Sequence, residues 1–257
     1  MPRLIRYKLG GDVITFTTTR QGGVGKDAYG EFNITHYCGD DPEVVKQNRR
    51  MLCQLLGIDD SHLILPRQTH QTNVRRVDEG FINLTEDERR VALEGMDAVV
   101  TNLSGVCIGV STADCIPVLI YDPVRHVACA VHAGWRGTVA RIVEKAIATM
   151  TAHYGSHPQD MVAQIGPGIS LESFEVGDEV YGAFLDAGFD MSPISRHEQK
   201  WHIDLPRCNR LQLHSCGIPY NSISLSSLCT YQHPDTLFSA RRLGILSGRL
   251  FTGIMLV

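Results

Sequence analysis

Apolar and polar positions along this chain recur with two periods, and each period predicts a kind of element. Val13, Thr15 and Thr17 alternate with Ile14 and Phe16, which predicts a strand over Asp12–Thr18. Further short runs predict strands at Leu63–Pro66, Asn73–Val77, Ala98–Thr101, Val106–Val110, Met161–Ile165 and Gly253–Val257. Asp41-Pro42-Glu43 offers a capping side chain, a proline for the first helical position and an acid for the first turn, so a helix begins there. Val44, Asn48, Met51, Leu52 and Leu55 mark its buried face, and Gly57 ends it. Val139, Ile142, Val143, Ala146, Ile147 and Met150 lie on one face of another helix, which closes at Gly155. Glu175–Phe184 and Leu205–Leu213 also read as helices, whereas Glu79–Leu93 reads as a charged, solvated stretch.

The organising stretch is Thr112–Thr138. Two continuous apolar runs, Ile116–Tyr121 and His126–Val131, flank the turn Asp122-Pro123 and predict an antiparallel hairpin. Such a hairpin brings its outer ends together, and those ends carry Cys115 and His132. The following Ala-Gly-Trp-Arg-Gly stands before a helix, whose first amides would face the same spot. Strands and helices interleave with no linker between them. The expected fold is therefore one α/β (α+β) domain, residues 1–257, built on a mixed β-sheet.

Composition narrows the function classes. The chain is 43% apolar and 20% charged, ordinary for a globular protein, and its net charge of −4 gives no electrostatic reason to expect nucleic acid. No run is long enough to span a bilayer and no signal peptide opens the chain, so no membrane partner and a cytoplasmic location are expected. Eight cysteines without a CxxC pair argue against zinc ribbons and thioredoxin-like motifs. Cys53, Cys107 and Cys129 sit among apolar neighbours as core fillers, unlike Cys115 at the mouth of a strand.

Among the histidines, His70 and His132 stand out for flanks rich in glycine, threonine or arginine; His36, His153, His157, His197, His202, His214 and His233 read as surface residues. Two histidines and a cysteine give a divalent metal three protein ligands and an open fourth position, the catalytic type of zinc site. The same residues allow two other chemistries. Cys115 and His132 can form a nucleophilic dyad oriented by Asp114. A His₂Cys set also suits a blue-copper centre, although four-copper laccase chemistry needs His-x-His pairs that the chain lacks. Loops of the GxxxxGK[ST], HExxH and GxSxG types are absent.

The stretches TTRQGGV, GDDPEVVKQNR, RQTHQTNV, TADCIPVLIYDP, HAGWRGT, IGPGIS…FEVGDEV and CTYQHPDTLFSARRLG…GR together resemble the YfiH/YlmD family, also catalogued as laccase-domain or multicopper polyphenol oxidase proteins and as purine nucleoside phosphorylases. The resemblance runs from about Thr17 to the C-terminus. It implies a single α/β domain similar to the catalytic domain of cytotoxic necrotizing factor toxins. It implies His70, Cys115 and His132 as metal ligands, with zinc, or copper in place of it, as cofactor. It further implies zinc-dependent phosphorolysis of adenosine, inosine and methylthioadenosine, with adenosine deamination besides, and a homodimer. Copper-dependent phenol oxidation and cysteine-type hydrolysis of misbuilt peptidoglycan precursors are the family's other attributed activities. For purine nucleosides and phosphate as partners, Arg20 and Arg136 are candidate anion contacts and Asn33 a ribose or phosphate contact. Asp114 is a candidate general base or supporting partner of the site, with Cys115 and Arg136. The chain departs from the family pattern where Ser170–Glu175 lacks a usual cysteine and Asn33-Ile34-Thr35 lacks a usual glycine.

Overall fold

The computed structural model describes all of Met1–Val257. Its core is a pair of facing sheets. One runs in the order β1 (Leu4–Arg6), β2 (Val13–Thr18), β14 (Leu250–Leu256), β6 (Cys107–Thr112) and β3 (Leu63–Ile64). The other runs β13 (Ile223–Leu225), β9 (Val162–Ile165), β7 (Ile116–Asp122), β8 (Val127–Ala133), β5 (Ala98–Thr101) and β4 (Val74–Arg76). A small third sheet joins β10 (Glu175–Val176), β12 (Trp201–Ile203) and β11 (Ser195–His197). Both large sheets are mixed: β3 and β6 are parallel, as are β4 and β5 and also β13 and β9, while the remaining pairs are antiparallel.

Period-two alternation assigns each strand's residues to layers. Leu119 and Tyr121 of β7, with Ala128 and Ala130 of β8, pack against Ile108, Val110 and Ile254 of the opposite sheet. Val118, Ile120, Cys129 and Val131 face the other way, onto helices α5 (Ile142–Tyr154) and α7 (Leu205–Ser215). The far face of the first sheet, with Phe16 and Phe251, is covered by Leu52 and Cys53 of α1 (Pro42–Leu56). Strands β7 and β8 are thus buried on both faces, which is why they read as unbroken apolar runs. Each such Val or Leu contributes roughly 1.5–3 kcal/mol on burial, and a hairpin held on both sides carries its end residues on a rigid frame. No helix is long and apolar enough to cross a membrane.

Four local readings are corrected. The buried face of α1 is Val45, Asn48, Leu52 and Cys53, one step round from the face through Val44, Met51 and Leu55; Asp41 caps it and left-handed Gly57 ends it. The charged stretch after Asp78 holds two helices, α2 (Glu79–Ile82) and α3 (Glu86–Ala92), the latter opened by a Thr85/Glu88 capping box. Past the central hairpin the helix comes in two pieces, α4 (Trp135–Val139) and α5, because Arg141 takes a left-handed conformation at φ 61°. The predicted helix over Glu175–Phe184 begins later, as α6 (Asp178–Asp186), since Glu175 and Val176 pair as β10.

Candidate metal centre

Strand β7 pairs antiparallel with β8 so that Ile116 faces Ala133 and Pro117 faces His132. His132 is thus the penultimate residue of β8, inside the strand and not beyond it, and Cys115 stands immediately before β7. His70 arrives from the connection between β3 and β4, itself at φ 62°. The donor atoms of His70, Cys115 and His132 all lie within 4.8 Å of one another. Sγ of Cys115 is 3.8 Å from Nε2 of His70, and the two imidazoles meet edge to face with centroids 4.9 Å apart. Donors bound at 2.0–2.3 Å around a tetrahedral ion stand roughly 3.3–3.8 Å from each other. The Cys115–His70 separation already fits an ion, and a small contraction of the 4.8 Å spread would bring in the third donor.

Asp97, which sequence reasoning passed over, assembles two of these three ligands. It sits just before β5, fully buried. Its Oδ1 lies 2.8 Å from Nδ1 of His132 and accepts the amide of His70 at 3.0 Å. Its Oδ2 accepts the amides of Gln71 at 2.8 Å and Thr69 at 3.3 Å. Its backbone carbonyl takes the amide of His132 at 2.8 Å. One carboxylate therefore folds the His70 turn and orients the His132 ring, leaving Nε2 of His132 for a ligand, the carboxylate–histidine arrangement common behind metal sites. The signal was a lone acid directly ahead of an all-apolar strand.

The electrostatics favour a thiolate at Cys115. Burial alone would push the Cys115 thiol up, but the charge and hydrogen bond of His132, helped by His70, bring it down to about 6. Burial would likewise lower His132, yet Cys115 and Asp97 raise it to about 9. The two shifts run in the direction of a thiolate–imidazolium pair. Burial also opposes ionisation of Asp97, and His132 with the amides of Gln71 and Thr69 outweighs it. Cys107 and Cys129, by contrast, are raised by burial alone or nearly so, as befits core thiols.

Gly134 closes the floor. A Cβ there would meet Cδ2 of His70 at 2.9 Å and Sγ of Cys115 at 3.0 Å, so only glycine lets His70 and Cys115 approach this closely. Beyond it, Arg136 on α4 is exposed, lies over the Trp135 ring at 4.2 Å and has no acidic partner.

The other residues singled out in the sequence are placed differently. Asp114, at φ 93°, accepts Thr230 Oγ1 on Oδ1 at 2.6 Å and the amide of Arg241 on Oδ2 at 2.7 Å. Both oxygens are engaged as in a structural support. Arg20 donates to the carbonyls of Gly30, Pro234 and Asp27. Asn33 is fully buried, with its amide group bound to Thr35, Asp40 and the amide of Arg249. His202, read as a surface residue, is buried with Nδ1 against the Leu171 carbonyl.

The family model described as "Multi-copper polyphenol oxidoreductase laccase" matches residues 14–257. The chain belongs to that family. Within this laccase family, it is 47% identical over 244 residues to a protein of Bacteroides thetaiotaomicron named purine nucleoside phosphorylase, covering 94% of this chain and 90% of that one. It is 44% identical over 245 residues to "Adenosine deaminase RL5" from an unknown prokaryotic organism, covering 94% and 93%. The crystal structure of YlmD from Geobacillus stearothermophilus superposes with a TM-score of 0.90 at 27% identity, covering 97% of this chain and 94% of that one. The mixed α/β fold and the YfiH/YlmD resemblance are both borne out.

Proposed function

We propose that this chain is a zinc-dependent purine nucleoside phosphorylase acting on adenosine, inosine and methylthioadenosine, with adenosine deaminase activity alongside. The observation that carries the reading is the meeting of one cysteine sulfur and two imidazoles, with the unpaired Arg136 two residues along the chain from Gly134. The names of the laccase-family relatives support the purine half. His70, Cys115 and His132 would hold the ion, which when bound supplies a Lewis acid that polarises a substrate oxygen or activates water.

In phosphorolysis the bond from the sugar C1′ to the purine nitrogen breaks, the purine leaves with the bonding pair, and a phosphate oxygen bonds to C1′. Positive charge gathers on the sugar in between, so phosphate must be held against it. Arg136 is our candidate for that task, because its fork of donors matches two phosphate oxygens and no carboxylate competes for it. Gly134 keeps the approach to Cys115 open. Asp97 holds the histidines in place through both oxygens. Asp114 would support the Cys115 turn through its bonds to Thr230 and the Arg241 amide.

The test pairs metal analysis with an adenosine assay with and without phosphate. About one zinc per chain, and adenine release that requires both zinc and phosphate, is the expected result. Full activity in zinc-stripped protein would overturn it. The thiolate–imidazolium pair favours one rival, a metal-independent cysteine amidase. That rival gains support if amide substrates are cleaved after chelation.

A further inference from the structure

Around the candidate metal centre the C-terminal segment is bolted to the Cys115 turn. Thr230 and Arg241 occupy the two oxygens of Asp114, and the amide of Thr230 binds the carbonyl of Gly168 at 3.0 Å. The same segment grips the loop before β10: Cys229 Sγ accepts the amide of Ser170 at 3.3 Å, and Gln232 reaches Ser173. Arg241 is therefore fixed through its own backbone, one residue removed from a proposed metal ligand. Its guanidinium lies over Phe174 at 5.6 Å and donates from one nitrogen to the Glu175 carbonyl at 3.1 Å. The neighbouring Glu175 carboxylate is taken by Lys200 at 2.7 Å, so Arg241 has no acidic partner. Its remaining N–H groups are free, whereas Arg20 donates to three carbonyls.

We propose that Arg241, with Arg136, forms an oxyanion subsite at the rim of the metal centre, and that it takes inorganic phosphate. The placement of the two arginines supports this: Arg136 lies two residues after Gly134, where a Cβ would come within 3.0 Å of Cys115 Sγ, and Arg241 is tied through its backbone amide to Asp114, the residue before Cys115. Both guanidiniums are stacked on aromatic rings, which orients their donors without neutralising them. As a phosphate cosubstrate site, the inference rests on the phosphorolytic reading above.

Calorimetric titration of inorganic phosphate into the zinc-loaded protein reads binding without turnover, and the phosphate KM for adenosine phosphorolysis is measured beside it. Arg241→Gln leaves the backbone bond to Asp114 intact, and should weaken phosphate binding about 10- to 100-fold. Arg241→Lys should recover only part of this. Arg242→Gln, whose parent side chain is held on Tyr231, should change it less than about twofold. Phosphate binding that Arg241→Gln weakens, in a protein that releases no adenine, keeps the subsite and sinks the phosphorylase reading. Adenine release with an unchanged phosphate constant in Arg241→Gln does the reverse. Wild-type protein that binds no phosphate, or that binds the phosphate of AMP through Arg241 in preference to the free ion, overturns the proposal.

Discussion

The Asp97 carboxylate lies 2.8 Å from Nδ1 of His132 while accepting the backbone amides of Thr69, His70 and Gln71. Four donors saturate one carboxylate, and no neutral side chain of the same shape can replace it. Asparagine offers a single acceptor oxygen and would turn an NH₂ group towards N–H donors. Asp97→Asn should lower zinc affinity about 10- to 100-fold, as loss of an outer carboxylate typically does. Competition with a chromogenic chelator measures it. Wild-type affinity in the variant would mean that the carboxylate does not position the ligands.

Gly134→Ala puts a methyl group within 3.0 Å of Cys115 Sγ and 2.9 Å of His70. Overpacking of this kind costs about 1–3 kcal/mol. The exposed His70 turn is the part free to yield, so the protein should stay folded by circular dichroism while its zinc content falls. A variant that keeps a full complement of zinc would show that the donors do not converge as tightly as described.

Cys115→Ser removes the soft ligand while keeping its size. Two histidines hold zinc poorly at neutral pH, so most of the metal should be lost and purine turnover should fall with it. Partial recovery in excess zinc is expected. Retained metal with abolished turnover would instead mark Cys115 as a nucleophile.

The pH response of Cys115 in zinc-stripped protein follows from its lowered pKa. A thiol brought down to about 6 is thiolate above that pH, so iodoacetamide labelling should be fast and flat from about pH 7 upward and fall below pH 6. Buried Cys107 and Cys129 should stay unlabelled throughout. Zinc should protect Cys115 across the range. Labelling that rises only above pH 8 would contradict the ion pair with His132.

Arg136→Lys keeps the charge and loses the fork. A several-fold rise in the KM for phosphate, with the KM for adenosine little changed, is the expected split. Equal phosphate constants in both proteins would return Arg136 to a surface role.

The part of the site carried by the hairpin was legible in the sequence, because β7 and β8 are buried on both faces and so announce themselves as apolar runs. Cys115 and His132 sit at the ends of those runs, where strand pairing must bring them together. Asp97 was not legible, since the four donors that it gathers come from the backbone and from a residue 35 positions away. Backbone hydrogen bonds leave no side-chain signature. Arg20 and Asn33 are harder to read for the opposite reason: polar loop residues look free for a ligand until the carbonyls and amides around them are seen. The helices after Asp78 were hidden by their charge, although the Thr85/Glu88 pair spelled out a capping box.

The pairing of Pro117 with His132 has a kinetic side. Side chains on a strand change face with every residue, so a one-step slip of β8 against β7 would carry His132 away from Cys115. Cys115 and His70 are 45 residues apart, so no short segment of the unfolded chain can gather the ligands early. A metal held by these three residues would thus arrive late, admitted only by a chain whose hairpin has already been paired correctly. Its uptake would then inspect the finished product, and a misregistered molecule would betray itself by remaining empty.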